Sequence, residues 1–237
     1  MSLAREAPLA ARFLRRYKRF FADVETARGE TLTVHCPNPG SMLGFQRPGA
    51  AVRCSVSDDP KRKLRHSLEM MRIGRIWVGL HTGRANAVVL AALRAGRPAA
   101  LAGYGEIRRE VSPPGAGRSR LDFRLDAPPP GRAPCWLEVK SVTLARGGVA
   151  RFPDSVTERG RRHLELLAAL RRRGERAALL FLVQRGDCES VEPAEDIDPA
   201  YAEALRRAAR DGVEIFALGA RVTARAIRVE RELPVRL

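Results

Sequence analysis

The chain has 237 residues, with 43 Lys and Arg against 27 Asp and Glu, so its formal net charge is +16. A content of 45% hydrophobic and 30% charged residues excludes a disordered or fibrous protein. No apolar run approaches the roughly 20 residues of a membrane span. Residues 1–20 carry acidic and basic side chains where a signal peptide needs an apolar run, which predicts a cytoplasmic protein without a membrane partner. The excess of cations favours nucleic acid as the partner, because phosphates attract clustered positive charge.

The N-terminal third, residues 1–81, is predicted to form a small β-barrel. Several segments have the β-branched content or the alternation of strands, and no long helix interrupts them. Short strands in this number are typical of the OB fold, a closed barrel whose surface commonly binds nucleic acid. The alternative is a β-extension of the following domain. The predicted strands are residues 12–26, 31–36, 50–57, 64–71 and 75–80.

The remaining residues, 82–237, alternate between helical and strand patterns. The Ala- and Leu-rich segment 85–94 predicts a helix, because a Gly and a Pro follow it. A second helix is predicted after Ser155, which has the capping-box spacing to Glu158, and a third opens at Asp198. This order predicts a mixed central sheet flanked by helices, and hence an α+β fold for the whole chain. Strands are predicted at residues 106–111, 120–126, 135–144, 177–184 and 213–218.

Three charged residues flank the Pro-rich loop 127–134. Asp122 lies in the segment before the loop, and Glu138 and Lys140 lie two residues apart in the segment after it. Residues two apart on a strand point to the same face. If the two segments pair as a hairpin, Asp122 lies opposite Glu138. The sequence therefore predicts two carboxylates and one ammonium group on a small area of sheet.

Two adjacent carboxylates can bind Mg²⁺ or Mn²⁺ while leaving coordination positions for water and phosphate. A neighbouring Lys can position the attacking water or stabilise the charge that develops on the phosphate. We therefore predict Asp122, Glu138 and Lys140 as catalytic residues, the first two as metal ligands, and no organic cofactor. The alternative is an ordinary surface salt bridge between Glu138 and Lys140. The four cysteines lie far apart without a C-x-x-C pair, which predicts free thiols and not a zinc site.

Clusters of cations predict where DNA would bind. One cluster interleaves with aromatic residues near the N-terminus, a second follows an Asp-Asp-Pro turn, and a third begins the helix after Ser155. The alternatives are a solvated face over a buried aromatic core for the first cluster and a solubility loop for the second. The predicted DNA-binding residues are Arg16, Lys18, Arg19, Lys61, Arg62, Lys63, His66, Arg159, Arg162 and His163.

Several multi-residue segments occur together in an order that is specific to one family: RRYKRFFADV, HCPNPGSM, SDDPKRKLRHSLE, SRLDF, EVKSVTL and FPDSVTERGRRHLELL. Through these segments the chain resembles the sugar fermentation stimulation protein A family over essentially its whole length. The resemblance implies an N-terminal OB-like domain, a nuclease-like domain of the PD-(D/E)xK type, DNA binding, and a regulatory role in sugar (maltose) metabolism. It places the nuclease motif on Asp122, Glu138 and Lys140, and it implies contributions from Thr157, Glu158, Arg159 and His163.

One departure affects the catalytic prediction. Many nucleases of this fold carry an acidic residue on the helix before the first strand, whereas segment 85–94 offers only Asn86 as a polar side chain nearby. We therefore expect a DNA-binding protein without sequence specificity, with a metal-dependent phosphodiesterase site as a second, less complete feature. The alternative is a transcriptional regulator without catalysis, although no helix-turn-helix pair is predicted. The sequence leaves the oligomeric state open and is compatible with a homodimer.

Overall fold

A computed structural model describes residues 9–117 and 119–237. Its N-terminal part is a closed barrel of five strands, in which neighbours pair in the order β3-β2-β1-β4-β5 and β3 returns to β5 at His35 and Ser67. A sixth strand, β6, continues the sheet beyond β5. The OB-like barrel predicted from the sequence is therefore confirmed. The strands are β1 (Leu9–Tyr17), β2 (Phe21–Thr26), β3 (Thr31–His35), β4 (Ala51–Val56), β5 (His66–Ile73) and β6 (Ile76–Gly79).

The barrel differs from the prediction at its first hairpin. Residues 12–26 were expected as one strand, but β1 and β2 are separate antiparallel strands joined at Lys18–Phe20. Lys18 and Arg19 take up φ angles of +46° and +63°, a region that side chains with a Cβ seldom occupy. Because no Gly or Pro marks this turn, the residue pattern does not reveal it.

The C-terminal part is built on a six-stranded mixed sheet with the order β15-β14-β12-β9-β8-β7. The three central strands β9, β12 and β14 are parallel, and the remaining neighbours are antiparallel. A second, three-stranded sheet contains β10, β11 and β13. The strands are β7 (Glu106–Val111), β8 (Leu121–Asp126), β9 (Cys135–Val142), β10 (Ala145–Arg146), β11 (Val149–Phe152), β12 (Arg176–Val183), β13 (Ser190–Pro193), β14 (Glu214–Val222) and β15 (Ile227–Glu232).

Three helices, α1 (Ala85–Arg94), α2 (Glu158–Arg172) and α3 (Pro199–Arg210), cover the six-stranded sheet. Alternate residues of β12 belong to different cores: Leu179 packs with α2 and α3, whereas Leu180 packs with α1. A strand covered on both faces has a continuous apolar sequence, which explains the run in β12. The predicted α+β class with a mixed sheet flanked by helices is confirmed.

The helix starts follow the prediction at one position and depart from it at another. Asp198 caps α3 and accepts a hydrogen bond from the backbone of Tyr201 at 2.9 Å, as expected. The expected cap at Ser155 is wrong, because Thr157 is the N-cap of α2 and its hydroxyl accepts from Gly160 N at 3.1 Å. The predicted cysteine state is confirmed, since all four thiols are free and buried.

The barrel is joined to the second domain by backbone pairing as well as by side chains. Gly79 N of β6 donates to the carbonyl of Gln184 at 2.9 Å, and Val78 forms an isolated antiparallel bridge with Arg185. Gln184 directly follows β12, so the barrel is attached to the end of a central strand. The boundary at residues 81 and 82 stays a prediction. Within the described parts of the chain, no helix is long and apolar enough to cross a membrane.

Candidate functional site

The two predicted acidic residues lie on neighbouring strands. β8 and β9 are antiparallel with Phe123 opposite Leu137, so the same register carries Asp122 to the position opposite Glu138. The carboxylate of Asp122 also accepts a hydrogen bond from Val139 N at 2.7 Å through Oδ2. The hairpin around the Pro-rich loop therefore brings the two acids together at one place on the sheet.

Glu138 forms the centre of a buried polar cluster. Its side chain is 4% exposed, and its Oε1 accepts a hydrogen bond from Lys140 Nζ at 2.6 Å and contacts His163 Nδ1. Lys140 Nζ lies 3.3 Å from the same His163 nitrogen. Burial by itself raises the pKa of Glu138, but the neighbouring Lys140 and His163 outweigh it and hold that pKa below its usual value. The surroundings of Glu138 therefore favour its ionised form.

Asp122 has the opposite electrostatic environment. Burial, and then repulsion from Glu138, raise the pKa of Asp122 to about 6, although hydrogen bonds from Val139 and Asn86 oppose the rise. Asn86 Nδ2 donates to Asp122 Oδ1 at 2.7 Å from the first turn of α1. Many nucleases of the family fold carry an acid on this helix. Here Asn86 lies on the helix and orients Asp122 of β8. The sequence offered one signal for this role, the polar side chain in an otherwise apolar turn.

The donor set suits a hard divalent cation. Glu138 Oε2 is buried and has no hydrogen-bond partner among the described residues, although a buried carboxylate oxygen normally has one. Each oxygen of Asp122 accepts one hydrogen bond and retains a second lone pair. No group of three His, Cys, Asp or Glu side chains converges within residues 9–117 and 119–237. Mg²⁺ and Mn²⁺ fit such a site, because they use one or two carboxylates and complete their coordination with water and phosphate.

A cavity of about 390 Å³ lies between the barrel and the acidic cluster. Lys140 lines it, and the barrel contributes Arg19 from the β1–β2 turn and the segment 38–40. Arg151 and Arg159, from β11 and the first turn of α2, are the other cationic residues of the wall. We call this cavity the interdomain cleft.

A second cavity of about 360 Å³ reaches the cluster at His163. Arg120, Arg159 and Arg162 line it together with His163, Glu110 and Ser119. Arg159 therefore borders both cavities, and each cavity reaches one member of the cluster, Lys140 in the cleft and His163 in the second cavity. A phosphate chain that occupied both cavities would contact Arg159.

Two of the predicted DNA-binding residues, Arg16 and His163, contact other groups of the protein through their side chains. His163 is 6% exposed and contacts Glu138 and Lys140, so it belongs to the acidic cluster and not to an open surface. Arg16 donates to the carbonyls of Asn38, Gly40 and Ser41 at 2.9–3.0 Å, so its guanidinium stabilises the loop that roofs the cleft. DNA contacts by these two side chains stay predictions.

The other predicted contacts divide between the cleft and the barrel surface. Lys18 and Arg19 occupy the exposed β1–β2 turn, and only Arg19 lines the cleft. Lys61 and Lys63 are exposed in the loop before β5, and neither lines the two cavities. Arg62 of the same loop donates to Ser67 Oγ at 2.9 Å. Burial lowers the pKa of His66, the first residue of β5. Arg159 and Arg162 are exposed and line the second cavity with His163, and their contact with DNA stays a prediction.

Sequence reasoning gave no role to the HCPNPGSM segment, which the structure places at the domain interface. The Ser41 hydroxyl donates to the carbonyl of Asp154 at 2.5 Å, and Met42 N donates to Asp154 Oδ2 at 3.0 Å. A methyl group at Gly40 would collide with the Asp154 carboxylate. Asn38 is buried, and its amide donates to Leu80 O at 3.1 Å and accepts from Gly40 N at 2.9 Å. The Pro-Asp-Ser turn before α2 is therefore a docking point for the barrel, which explains why Ser155 does not cap the helix.

Comparison with known proteins connects this arrangement to one family. The family model described as "Sugar fermentation stimulation protein RE domain" matches residues 83–226, and the one described as "SfsA N-terminal OB domain" matches residues 14–80. A sugar fermentation stimulation protein homolog from Halorhodospira halophila is 54% identical, over 95% of this chain and 94% of the relative. One from Pseudomonas putida strain GB-1 is 52% identical, over 95% of both chains.

A solved structure is similar over the full length. The structure of Pyrococcus furiosus SfsA in complex with Ca²⁺ superposes with a TM-score of 0.85, at 27% sequence identity, and the match covers 100% of each chain. The similarity therefore includes the barrel, the mixed sheet and the way they are joined.

Proposed function

The chain belongs to the sugar fermentation stimulation protein family, and from this premise we propose that it binds DNA largely without sequence specificity and hydrolyses phosphodiester bonds with Mg²⁺ or Mn²⁺. The mixed-sheet domain is then a nuclease-like domain of the PD-(D/E)xK type. Asp122 is the acid of its first motif strand, and Glu138 and Lys140 form the E-x-K of the next. A cytoplasmic location and a homodimer remain predictions.

The observation that carries this proposal is the unpartnered oxygen of Glu138. A buried carboxylate loses hydration, and leaving one oxygen without a donor costs free energy unless a ligand compensates. The oxygen belongs to the acid that faces Asp122, and Lys140 and His163 both contact the other oxygen. This distribution leaves one oxygen of Glu138 available to a cation. The Ca²⁺ present in the structure of Pyrococcus furiosus SfsA supports a divalent cation in this family.

Asp122 and Glu138 would hold the cation. When bound, such an ion lowers the pKa of a coordinated water and neutralises negative charge on a phosphate. Asn86 orients Asp122, and His163 fixes the rotamer of Glu138. Lys140 Nζ lines the cleft, where its ammonium group can hydrogen-bond a water or a phosphate oxygen that carries developing charge.

Cations around the two cavities support DNA as the substrate. Arg120, Arg159 and Arg162 line the second cavity with His163, and Arg19 borders the cleft from the barrel side. Arginines present planar donors to phosphate oxygens and carry no base-specific information in such contacts. Of the three helices in the described residues, none is joined to another by a short turn, so a helix-turn-helix reader has no support. Regulation of sugar metabolism stays a prediction.

The decisive experiment measures cleavage and binding on the same DNA. We expect the purified protein to cut labelled DNA with Mn²⁺ or Mg²⁺. The cleavage rates of Glu138→Gln and Asp122→Asn should be lower by about a hundredfold or more. Both variants should retain DNA binding, whose affinity falls by roughly 10³ between 50 and 200 mM salt if about six phosphates are contacted. Glu165→Gln, an exposed position on α2, is the matched control and should cut normally.

If Glu138→Gln cut DNA at the same rate as the wild type, the catalytic assignment would be contradicted. Absence of cutting by the wild type, with salt-dependent binding intact, would leave a DNA-binding protein without a nuclease. Affinity that does not change with salt would contradict the DNA-binding part.

A further inference from the structure

The interdomain cleft is small and is bordered by the barrel loop 38–40, and both properties limit the form of DNA that can enter it. Resting on the function proposed above, we propose that the site accepts a single polynucleotide strand or an unpaired strand end, and not an intact duplex. The strand would run from the exposed turn of the barrel, through the cleft, across the acids and into the second cavity.

Size and burial are the first reason. The side chains of Glu138 and Lys140 are only 4% and 11% exposed, and Lys140 lines the cleft, so a phosphate in the cleft can reach its ammonium group. The cleft encloses about 390 Å³ and the second cavity about 360 Å³, which are at the lower end of the range for sites that hold one small molecule. Spaces of this size suit individual nucleotides, whereas a duplex presents two strands and stacked base pairs.

The fixed roof is the second reason. The segment 38–40 is tied to the barrel by Arg16, which donates to the carbonyls of Asn38 and Gly40 at 2.9 Å. It is tied to the other wall through Ser41 and Asp154. Gly40 lies so close to the Asp154 carboxylate that there is no space for a side chain. Because both walls are joined by these contacts, the cleft cannot widen for a duplex without breaking them.

The rim of the cleft supplies a surface for an unpaired base. Phe20 is 42% exposed, although most large apolar side chains of the barrel are buried, and it directly follows Arg19 of the cleft wall. The ring of His35 lies 6.4 Å from that of Phe20. An exposed aromatic ring beside a phosphate-binding cation is the usual arrangement for single strands, whose bases stack on such rings. Paired bases in a duplex are already stacked and gain nothing from Phe20.

Arg159 supplies the connection between the two cavities. It borders both of them, and the two side chains that contact Glu138 line one cavity each, Lys140 the cleft and His163 the second cavity. A strand that occupied both cavities would place one phosphate next to Asp122 and Glu138, with Arg159 beside it. Arg159 is thus a positioning residue for the strand and should contribute more to binding than other exposed arginines.

The test compares affinities in metal-free buffer with EDTA, where no cutting occurs. The probes are a fluorescein-labelled single strand of about 16 nucleotides, the length expected to cover one OB domain, and the same strand annealed into a blunt duplex. Fluorescence anisotropy should show about tenfold or greater preference for the single strand. Phe20→Ala should remove about tenfold of single-strand affinity and leave duplex affinity unchanged, whereas Phe20→Trp should retain both.

A matched pair of arginine variants tests the path of the strand. Arg159→Ala should weaken single-strand binding by about tenfold, and Arg225→Ala, in the exposed turn between β14 and β15, should have little effect. With Mn²⁺, the wild type should cut a forked substrate within its unpaired arms.

The possible outcomes separate the two proposals. Equal affinity for the two probes, or cutting of the paired region at the same rate as the arms, would overturn the single-strand inference and leave the nuclease intact. Single-strand preference without cutting would overturn the nuclease and leave the inference standing. Failure to bind either probe would overturn both.

Discussion

Two buried glutamates, one in each domain, show how different a charged side chain can be when its surroundings differ. Glu69 of the barrel has a fully buried side chain, and Arg84 donates to both of its oxygens, at 3.1 Å and 2.6 Å. Glu138 is almost as buried, but Lys140 and His163 share one oxygen, and the other has no hydrogen-bond partner in the part of the chain that the structure describes. Glu69 is a completed ion pair that attaches the barrel to the start of α1, whereas Glu138 is an incomplete one.

The comparison shows that burial of a charge does not by itself distinguish a structural site from a functional one. Ion pairs that are fully hydrogen-bonded have little remaining capacity for ligands, and disruption of one leaves a buried charge uncompensated. An unpaired oxygen, in contrast, is a cost to the folded protein that a cation can offset. We therefore expect variants of Glu69 to change stability and variants around Glu138 to change ligand binding.

The largest effect is expected at the completed pair. Glu69→Ala should lower the free energy of unfolding by about 3 kcal/mol or more, because the partly buried Arg84 loses the carboxylate that accepts from it. Glu138→Gln should cost less in metal-free protein, because the amide keeps one oxygen as an acceptor. Urea unfolding of both variants beside the wild type measures the difference. A larger loss for Glu138→Gln would show that the incomplete pair is the main structural one.

The next effect concerns metal. Mn²⁺ at about 100 times its dissociation constant should stabilise the wild type by about 2.7 kcal/mol, because only the folded protein brings Asp122 and Glu138 together. Asp122→Asn should lose most of this stabilisation, and Glu165→Gln should keep it. Thermal unfolding with and without Mn²⁺ provides the measurement. Equal stabilisation of wild type and Asp122→Asn would mean that the metal binds elsewhere.

The smallest effect is a pH dependence in metal-free protein that differs in sign between the two acids. Asp122 has a pKa raised to about 6, so between about pH 4 and 6 the unfolded chain ionises it and the folded protein does not. Its contribution to stability is therefore present below pH 4 and declines as pH rises to 6. The pKa of Glu138 is lowered, so its contribution is present above its unfolded pKa and is lost as pH falls.

Urea unfolding at several pH values, with Asp122→Asn and Glu138→Gln as reference proteins, separates these slopes. The difference in stability between the wild type and Asp122→Asn should become less favourable to the wild type from pH 4 to 6. The same difference for Glu138→Gln should change in the opposite direction. Two slopes of the same sign would contradict the distinct environments of the acids.

Much of the fold could be predicted because local signals coincide with the structure. α1 has the predicted bounds, since a Gly and a Pro end it, and β7 also has its predicted bounds. The elements that the sequence did not reveal are short or paired at long range. β10, β11 and β13 contain two to four residues each, and β11 pairs in parallel with β13 across helix α2. The sequence analysis does not predict β15, an edge strand that is mostly exposed and contains four charged residues among six.

The candidate site could be predicted as far as strand geometry determines it. Period two and a hairpin sufficed to place Asp122 opposite Glu138, but partners from other elements depend on packing that no local pattern encodes. Asn86 of α1 precedes both acids in the sequence and contacts Asp122, whereas His163 of α2 follows them and contacts Glu138. The basic and aromatic neighbours of Arg16 predict a DNA contact, and the pattern gives no sign that its guanidinium also donates to backbone carbonyls. The composition gives the number of charged side chains, and the fold determines which groups they contact.

The hydrogen bond from Gly79 to Gln184 has a consequence for anyone who would separate this protein into modules. Excision of the barrel would expose the end of a central parallel strand, and the excised barrel would lose the acceptor of its final strand. Asp154 would lose its donors in the same cut. Fusions and truncations should therefore carry both halves, and a mechanical load applied to the barrel would be transmitted directly to the strand that neighbours Glu138 and Lys140.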